Sequence, residues 1–448
     1  MSAENRPKRI AFFLYESREL STYPTITNAA ELLARDGYQV DIYLPEHMLC
    51  DIQIPGITLI HSSRANSADY IRSTLRRLQK SKAAYDFFFA AYFEGLAIAA
   101  LAQKLSTKRT KRILRTPIVY LSMELIYGDY AHELETILKD PATKRYRRLL
   151  FLLRLVEMTE ALWSRLPAMI ARPFQKIRDS QGIGRVASAR YHRSVLDETL
   201  SVAREAVAFS IVQDEHRESV LRREFDFVDR TVRLPNSYIG FEYGASDFAK
   251  RRFGVPGGKK IVLYSGAVER GFGSEFFKLP GQLGEDFVLI VNAYSRDGYL
   301  NELRGELSGD LESGRLILND TLLSDADYEQ LVQSSRICLA WYGPPDDGDD
   351  NMFYLGLSSG KMNRYLACGR PVIVPDYYFG YRELMQETGA GIACSRVAEI
   401  APAIMKIDEN YDSYRQHVKT FFESELEFET CFQGVLDEMR RTTQEASQ

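Results

Sequence analysis

Twelve apolar runs of strand length recur along this chain, and the stretches between them carry helical periodicity. Such alternation builds βαβ units, which bury their apolar surface as parallel sheets with helices on both faces. The first six runs cover residues 9–15, 39–44, 57–61, 86–92, 117–122 and 209–213, and the second six cover 260–265, 287–292, 315–318, 337–341, 372–374 and 391–393. Helical patterns lie between them, for instance over 25–35, 94–105, 325–334 and 381–387. At 448 residues the chain exceeds the roughly 250 to 300 at which a single core stops growing. The expected fold is therefore α/β, with two doubly wound domains meeting near residues 233–240.

Composition removes several function classes. A formal net charge of -4 leaves no overall footprint for nucleic acid. The five cysteines, Cys50, Cys338, Cys368, Cys394 and Cys431, are scattered and form no CxxC or Cys/His cluster, so neither zinc nor a disulfide framework is expected. The opening MSAENRPKRI leads straight into the first strand run without a signal peptide, and no apolar segment reaches the roughly 18 residues of a membrane span. These features lead us to expect a cytoplasmic protein, with peripheral attachment to the cytoplasmic face of a membrane as the alternative.

The most informative twenty residues are GLSSGKMNRYLACGRPVIVP, from Gly356 to Pro375. Ser358, Ser359 and Gly360 read as a loop feeding a short helix that begins at Lys361, ends at Gly369 and turns through Pro371 into the run Val372-Ile373-Val374. Unsatisfied N–H groups, two hydroxyls and an ammonium then converge at a helix start, which suits a phosphate or diphosphate. A capped helix in an ordinary α/β domain accounts for the same residues.

The pattern Ser-x-x-Lys-x-x-x-Tyr-Leu-Ala-x-Gly-x-Pro-Val-Ile resembles the donor-binding helix of GT-B glycosyltransferases, most closely their retaining, nucleotide-sugar-using branch. LPN at Leu234 to Asn236 looks like the crossing between domains, and LYSGAVERG at Leu263 to Gly271 looks like the glycine turn after the second domain's first strand. IVQDEHR at Ile211 to Arg217 is similar to the close of the first domain in some relatives. The resemblance implies two Rossmann-like domains facing each other across a cleft. The acceptor domain would span 1–234, with a basic helical insertion at about 130–205. The donor domain would span 235–411, and a C-terminal helix over 412–448 would cross back to the first domain.

The same resemblance implies transfer of a sugar from a nucleotide donor to a glycan, lipid-linked or protein acceptor. No metal is implied, and no cofactor beyond the nucleotide-sugar, a UDP-sugar being favoured over a GDP-sugar. Donor contacts are expected from Gly266, Arg270, Asn292, Leu323, Asn351, Ser358, Ser359, Gly360, Lys361 and Met362. Arg270 and Lys361 would steady the departing diphosphate. Many retaining relatives carry a glutamate in this helix that holds the donor ribose; Arg364 stands in its place, and Gly356 stands where a second glutamate is expected. That departure keeps two other readings open, a catalytically silent GT-B-like scaffold and a sugar-nucleotide epimerase.

Ligands of open α/β sheets sit beyond the C-terminal ends of the strands. In the first domain this rule selects Glu16, Glu94 and Glu124 as acceptor-binding carboxylates, and Glu124, with His132 close by, as the candidate base. Each also suits a helix N-terminus or a solvated loop, and the residues leave a retaining or inverting outcome open. The run PPDDGDDN, Pro344 to Asn351, matches no calcium loop spacing and reads as a solvated acidic loop.

The segment Lys144 to Arg193 holds twelve Lys or Arg against three acids, a net +9 within a chain of net -4. Arg147, Arg154 and Arg165 recur near helical spacing opposite Leu149, Leu153, Val156 and Leu162, a pattern that fits either an anionic membrane surface or a solvated insertion. No aromatic platform is interleaved with the charge, so RNA is not expected. If the segment meets lipid, the protein sediments with vesicles containing phosphatidylserine at low salt and is released as salt rises. Absence of sedimentation at low salt refutes the lipid reading.

Overall fold

In the computed structural model, residues 8–15, 20, 23–48, 54–62, 67–81, 83–106, 116–123, 197, 199–268, 275–295, 298–344 and 349–446 are described. The first sheet contains β1 (Arg9–Phe13), β2 (Gln39–Pro45), β3 (Ile57–Ser62), β4 (Phe87–Ala91), β5 (Ile118–Leu121), β6 (Val207–Val212) and β7 (Thr231–Arg233). The second contains β8 (Lys260–Ala267), β9 (Phe287–Tyr294), β10 (Leu316–Asn319), β11 (Ile337–Leu339), β12 (Val372–Pro375) and β13 (Gly391–Cys394). The first domain's helices are α1 (Pro24–Arg35), α2 (Ser67–Ser81), α3 (Tyr92–Ser106) and α4 (Glu215–Glu224). The second carries α5 (Phe248–Phe253), α6 (Tyr299–Glu306), α7 (Ser308–Glu312), α8 (Asp325–Ser334), α9 (Asp350–Phe353), α10 (Gly360–Ala367), α11 (Phe379–Thr388), α12 (Ile400–Glu409) and α13 (Tyr411–Phe421). The last described helix is α14 (Phe428–Glu445).

Strand order is β3-β2-β1-β4-β5-β6-β7 in the first sheet and β10-β9-β8-β11-β12-β13 in the second, and every pairing is parallel. The α/β fold with two doubly wound sheets is thus the one observed. Both sheets are sandwiched, so their strands read as continuous apolar runs. In β1, Ile10 and Phe12 enter the core on one face while Ala11 and Phe13 enter the core on the other. In β8, Leu263 and Tyr264 divide in the same way. β7 has no counterpart among the runs read from sequence, because three half-exposed edge residues, TVR, carry no periodic signal.

Each order reverses once, between β1 and β4 and between β8 and β11. At the first reversal α3 is drawn hard against the strand ends: a Cβ on Gly95 would lie 2.5 Å from the Phe13 carbonyl oxygen. Only glycine permits that approach.

The C-terminal helix expected over 412–448 is not one helix. α13 packs Val418 and Phe421 into the second domain's core, a π-helical turn at Phe422–Leu426 follows, and Glu427 is extended. α14 then packs Phe428, Phe432, Val435, Leu436 and Met439 against the first sheet. A straight helix could not turn one apolar face toward two cores on different domains. The Glu427 carboxylate caps α14 by accepting from Thr430 N–H at 2.7 Å, and Arg230 pairs with Glu438 at 3.1 Å and with Glu445 at 2.9 Å.

Phe432 is fully buried, so Phe432→Ala should cost about 3 to 5 kcal/mol of stability. Urea unfolding monitored by far-UV circular dichroism measures this. A loss under about 1 kcal/mol would show that α14 contributes little to the first domain's core.

Candidate functional site

α10 starts at Ser359, whose hydroxyl accepts from Met362 N–H at 3.3 Å and shares a 2.6 Å hydrogen bond with the Tyr381 hydroxyl. The cap therefore occupies the hydroxyl of Ser359. The N–H groups of Gly360 and Lys361, in the first turn, have no intrahelical carbonyl to meet. Met362 contributes its N–H to the cap and buries its side chain in the core. The helix closes at Gly369, whose φ of 68° places it in the left-handed region favoured by glycine.

Lys361 reaches from this helix to the end of β8. Its Nζ would lie 2.8 Å from a Cβ on Gly266, a glycine with φ of 140°, so a side chain there would collide with the ammonium. The Nζ stands 4.5 Å from the ring centre of Tyr264 and 4.1 Å from that of Tyr342. Part of the residue is solvent accessible, but the ammonium itself is enclosed and has no hydrogen-bond acceptor among the described residues. Burial brings its pKa down to about 7. Two aromatic faces soften the desolvation of the cation without supplying an anion.

A polar ladder crosses the strand ends beside it. Asn292 Nδ2 donates to the Ser265 hydroxyl at 3.0 Å, Asn319 Nδ2 donates to Asn292 Oδ1 at 2.6 Å, and Ser265 N–H donates to the Tyr365 hydroxyl at 3.1 Å. Register explains the alignment, since Ser265, Asn292 and Asn319 are consecutive partners on β8, β9 and β10. Asn292 is thereby fixed as part of the floor. Leu323 packs at the edge of the second domain's core, while Leu322 and Tyr294 are exposed around the same strand ends.

The opposite wall is supplied by the first domain. Arg217, 1% exposed, sends Nη1 to the Ser358 hydroxyl and the Asn351 carbonyl, both at 3.2 Å. Its Nη2 reaches Asn351 Oδ1 at 2.6 Å and the Met123 carbonyl at 3.1 Å. The guanidinium thus bridges the loop after β5, α9 and the loop between α9 and α10. His216 adds a second bridge, its Nε2 lying 2.5 Å from Glu383 Oε2 with the ring stacked on Tyr354. On the crossing side of these contacts lies a cavity of about 700 Å³, lined in part by Gln213, Arg233, Glu387, His417 and Phe421.

Sequence reading passed over these bridges, along with Tyr264, Tyr342, Asn319 and Tyr381. Arg217 stood within a quoted motif but had no role there, because partners at Asn351 and Ser358 are more than 130 positions away. Glu94 occupies the first turn of α3. Glu16, Glu124, Arg270 and His132 lie outside the described residues. Of the acidic run, Asp349 caps α9 and Asp350 pairs with Arg223 at 2.5 Å. Among the described residues no group of three or more His, Cys, Asp or Glu is arranged to hold a metal ion.

Arg364 points away from a ribose-binding role. Its guanidinium stacks on Tyr238 at 4.1 Å and donates to Glu329 Oε2 at 3.1 Å, tying α10 to α8 and to the crossing between domains.

No family model and no curated protein matches this sequence. Solved structures do match in fold. Sucrose-phosphate synthase from Thermosynechococcus elongatus superposes with a TM-score of 0.59 at 13% identity over 98% of this chain and 100% of that one. HepE of Anabaena with UDP gives 0.59 at 13% over 97% and 100%. The trehalose 6-phosphate synthase of Burkholderia multivorans gives 0.60 at 11% over 98% and 100%. The chain has the GT-B fold, with two Rossmann-like domains facing each other.

An unfolded chain holds the lysine proton up to about pH 10. The folded protein releases it near pH 7, so the unfolded state binds more protons across that window and stability rises with pH through it. Lys361→Met removes this contribution. The variant should melt above wild type at pH 6.5, with the gap shrinking by pH 9.5. A gap that does not change with pH contradicts the enclosed ammonium.

Proposed function

We propose that this chain is a glycosyltransferase that moves a sugar from a nucleoside diphosphate donor, a UDP-sugar by preference, to a glycan, lipid-linked or protein acceptor. The observation that carries this reading is the Lys361 ammonium, buried with no hydrogen-bond acceptor among the described residues, beside Gly266 and the N-terminal turn of α10. A site that holds a desolvated cation against bare backbone at a strand-order reversal is complementary to a diphosphate. HepE was solved with UDP and with UDP-glucose, and a further fold neighbour is a UDP-forming trehalose-phosphate synthase, which supports uracil as the base.

In the proposed reaction the bond between the sugar's anomeric carbon and the diphosphate oxygen breaks, and its electron pair stays on the diphosphate. The acceptor hydroxyl oxygen bonds to the anomeric carbon and passes its proton to the departing diphosphate oxygen. Lys361, the first-turn N–H groups of α10, the Ser358 hydroxyl and Arg270 would stabilise the charge growing on the leaving group, so the donor is held without a metal ion. We assign the acceptor to the first domain's strand ends, where Glu94 stands and where Glu16 and Glu124 fall in sequence. Retention of anomeric configuration belongs to this reading, because the charges we assign to the site gather at the leaving group.

Arg364 favours a second reading, a silent scaffold, since it is held by Glu329 and Tyr238 and offers no carboxylate to a ribose. A thermal-shift panel of UDP, GDP, CDP, ADP and their sugars separates the possibilities. A transferase is stabilised by one diphosphate and consumes donor only with acceptor, a scaffold responds to none, and an epimerase turns over donor alone. Lys361→Met should weaken diphosphate binding about 10- to 100-fold in calorimetry, and wild-type affinity should fall above pH 7 as the ammonium is lost. Unchanged affinity in the variant refutes the donor-site assignment.

A further inference from the structure

Arg217 is a first-domain cation buried in second-domain surroundings. Its backbone N–H is fixed by the Asp214 carboxylate at 2.9 Å, which caps α4 and sets where the side chain emerges. From there the guanidinium holds Met123 on its own domain and Asn351 and Ser358 on the other.

We propose that Arg217 is a positioning residue through which the first domain orients the diphosphate cradle of the second. The inference rests on the donor-site reading above and adds a dependence of nucleotide binding on a contact between domains. A hydroxyl has one proton and two lone pairs. With Arg217 Nη1 on the Ser358 oxygen, the proton of that hydroxyl must point elsewhere, and a phosphate oxygen beside Lys361 is an acceptor the cradle would provide. The bond to Asn351 Oδ1 fixes the carboxamide and sets the direction of its Nδ2 donors. α9 and the loop that joins it to α10 are thereby held together at the start of α10.

The geometry requires arginine. Four acceptors in different directions are met by a planar fork with fixed N–H vectors, which a lysine ammonium cannot reproduce. The anchor on Met123 matters equally, because it ties the cradle to the loop that continues into Glu124. If the domains part, the guanidinium must give up either Met123 or the donor loops, so a well-ordered cradle and a closed cleft become one state.

The test compares wild type with Arg217→Gln, Arg217→Lys and Lys361→Met, each checked for folding by circular dichroism. Hydrogen exchange over residues 350–362 is measured without ligand, and UDP affinity is measured by calorimetry. Arg217→Gln should speed exchange in that segment and weaken UDP binding at least tenfold, with Arg217→Lys intermediate. Lys361→Met should weaken UDP binding while leaving the exchange as in wild type.

Unchanged exchange in Arg217→Gln overturns the inference, as does faster exchange with UDP affinity intact. UDP binding lost in Lys361→Met but retained in Arg217→Gln overturns this inference alone. Wild-type protein that binds no nucleoside diphosphate overturns the donor-site reading together with it. Should Arg217→Gln fail to fold, Ser358→Ala in wild-type and Arg217→Lys backgrounds replaces it. Losses of UDP affinity that do not add support the coupling, and strictly additive losses overturn it.

Discussion

The arrangement of the molecule depends on one carboxamide in the crossing between domains. Asn236 Oδ1 accepts from the Thr25 hydroxyl of α1 at 2.9 Å, and its Nδ2 donates to the Ser358 carbonyl at 3.2 Å. Its backbone N–H donates to the Leu357 carbonyl at 3.0 Å, and its carbonyl accepts from Asn363 Nδ2 at 2.9 Å. One residue of the crossing thus satisfies polar groups of the first domain, the loop before α10 and α10 itself. Such groups would be costly to bury unpaired. The start of α10 is consequently located relative to both sheets. A Cβ on Gly360 would stand 3.1 Å from Asn236 Nδ2, so the helix sits as close to the crossing as a bare backbone allows.

With α10 fixed in that way, the buried ammonium of Lys361 follows. The helix directs the side chain toward the end of β8, where Gly266 leaves room and Tyr264 and Tyr342 supply ring faces instead of carboxylates. Burying a cation there weakens the fold. In the donor-site reading a bound anion would restore the lost solvation, so stability would there be exchanged for binding. The ladder from Ser265 through Asn292 to Asn319 keeps the neighbouring floor polar and rigid.

Arg364 shows how a helix can keep its place while one of its contacts changes. Its neighbours Met362, Asn363, Tyr365 and Leu366 remain buried and hold α10 in the core. The guanidinium spans Tyr238 and Glu329 and turns what could have been a ligand contact into a brace between α8, α10 and the crossing. Glu329 is in turn held by Gln333 as well as by Arg364.

The sequence by itself determined the α/β architecture, because strands buried on both faces and their intervening helices leave period and length signals over many residues. It also determined the start and end of α10, since Ser359, Gly360, Lys361 and Gly369 act within a single turn or at a cap, where spacing along the chain is spacing in space. Tertiary structure alone decided which hydroxyl is spent on the cap, that Lys361 lies between two rings, and that the C-terminal helix expected over 412–448 breaks to serve two cores. It alone decided that Arg217 joins the domains. Those outcomes depend on contacts between residues tens to more than a hundred positions apart, and such contacts have no period for a sequence to display.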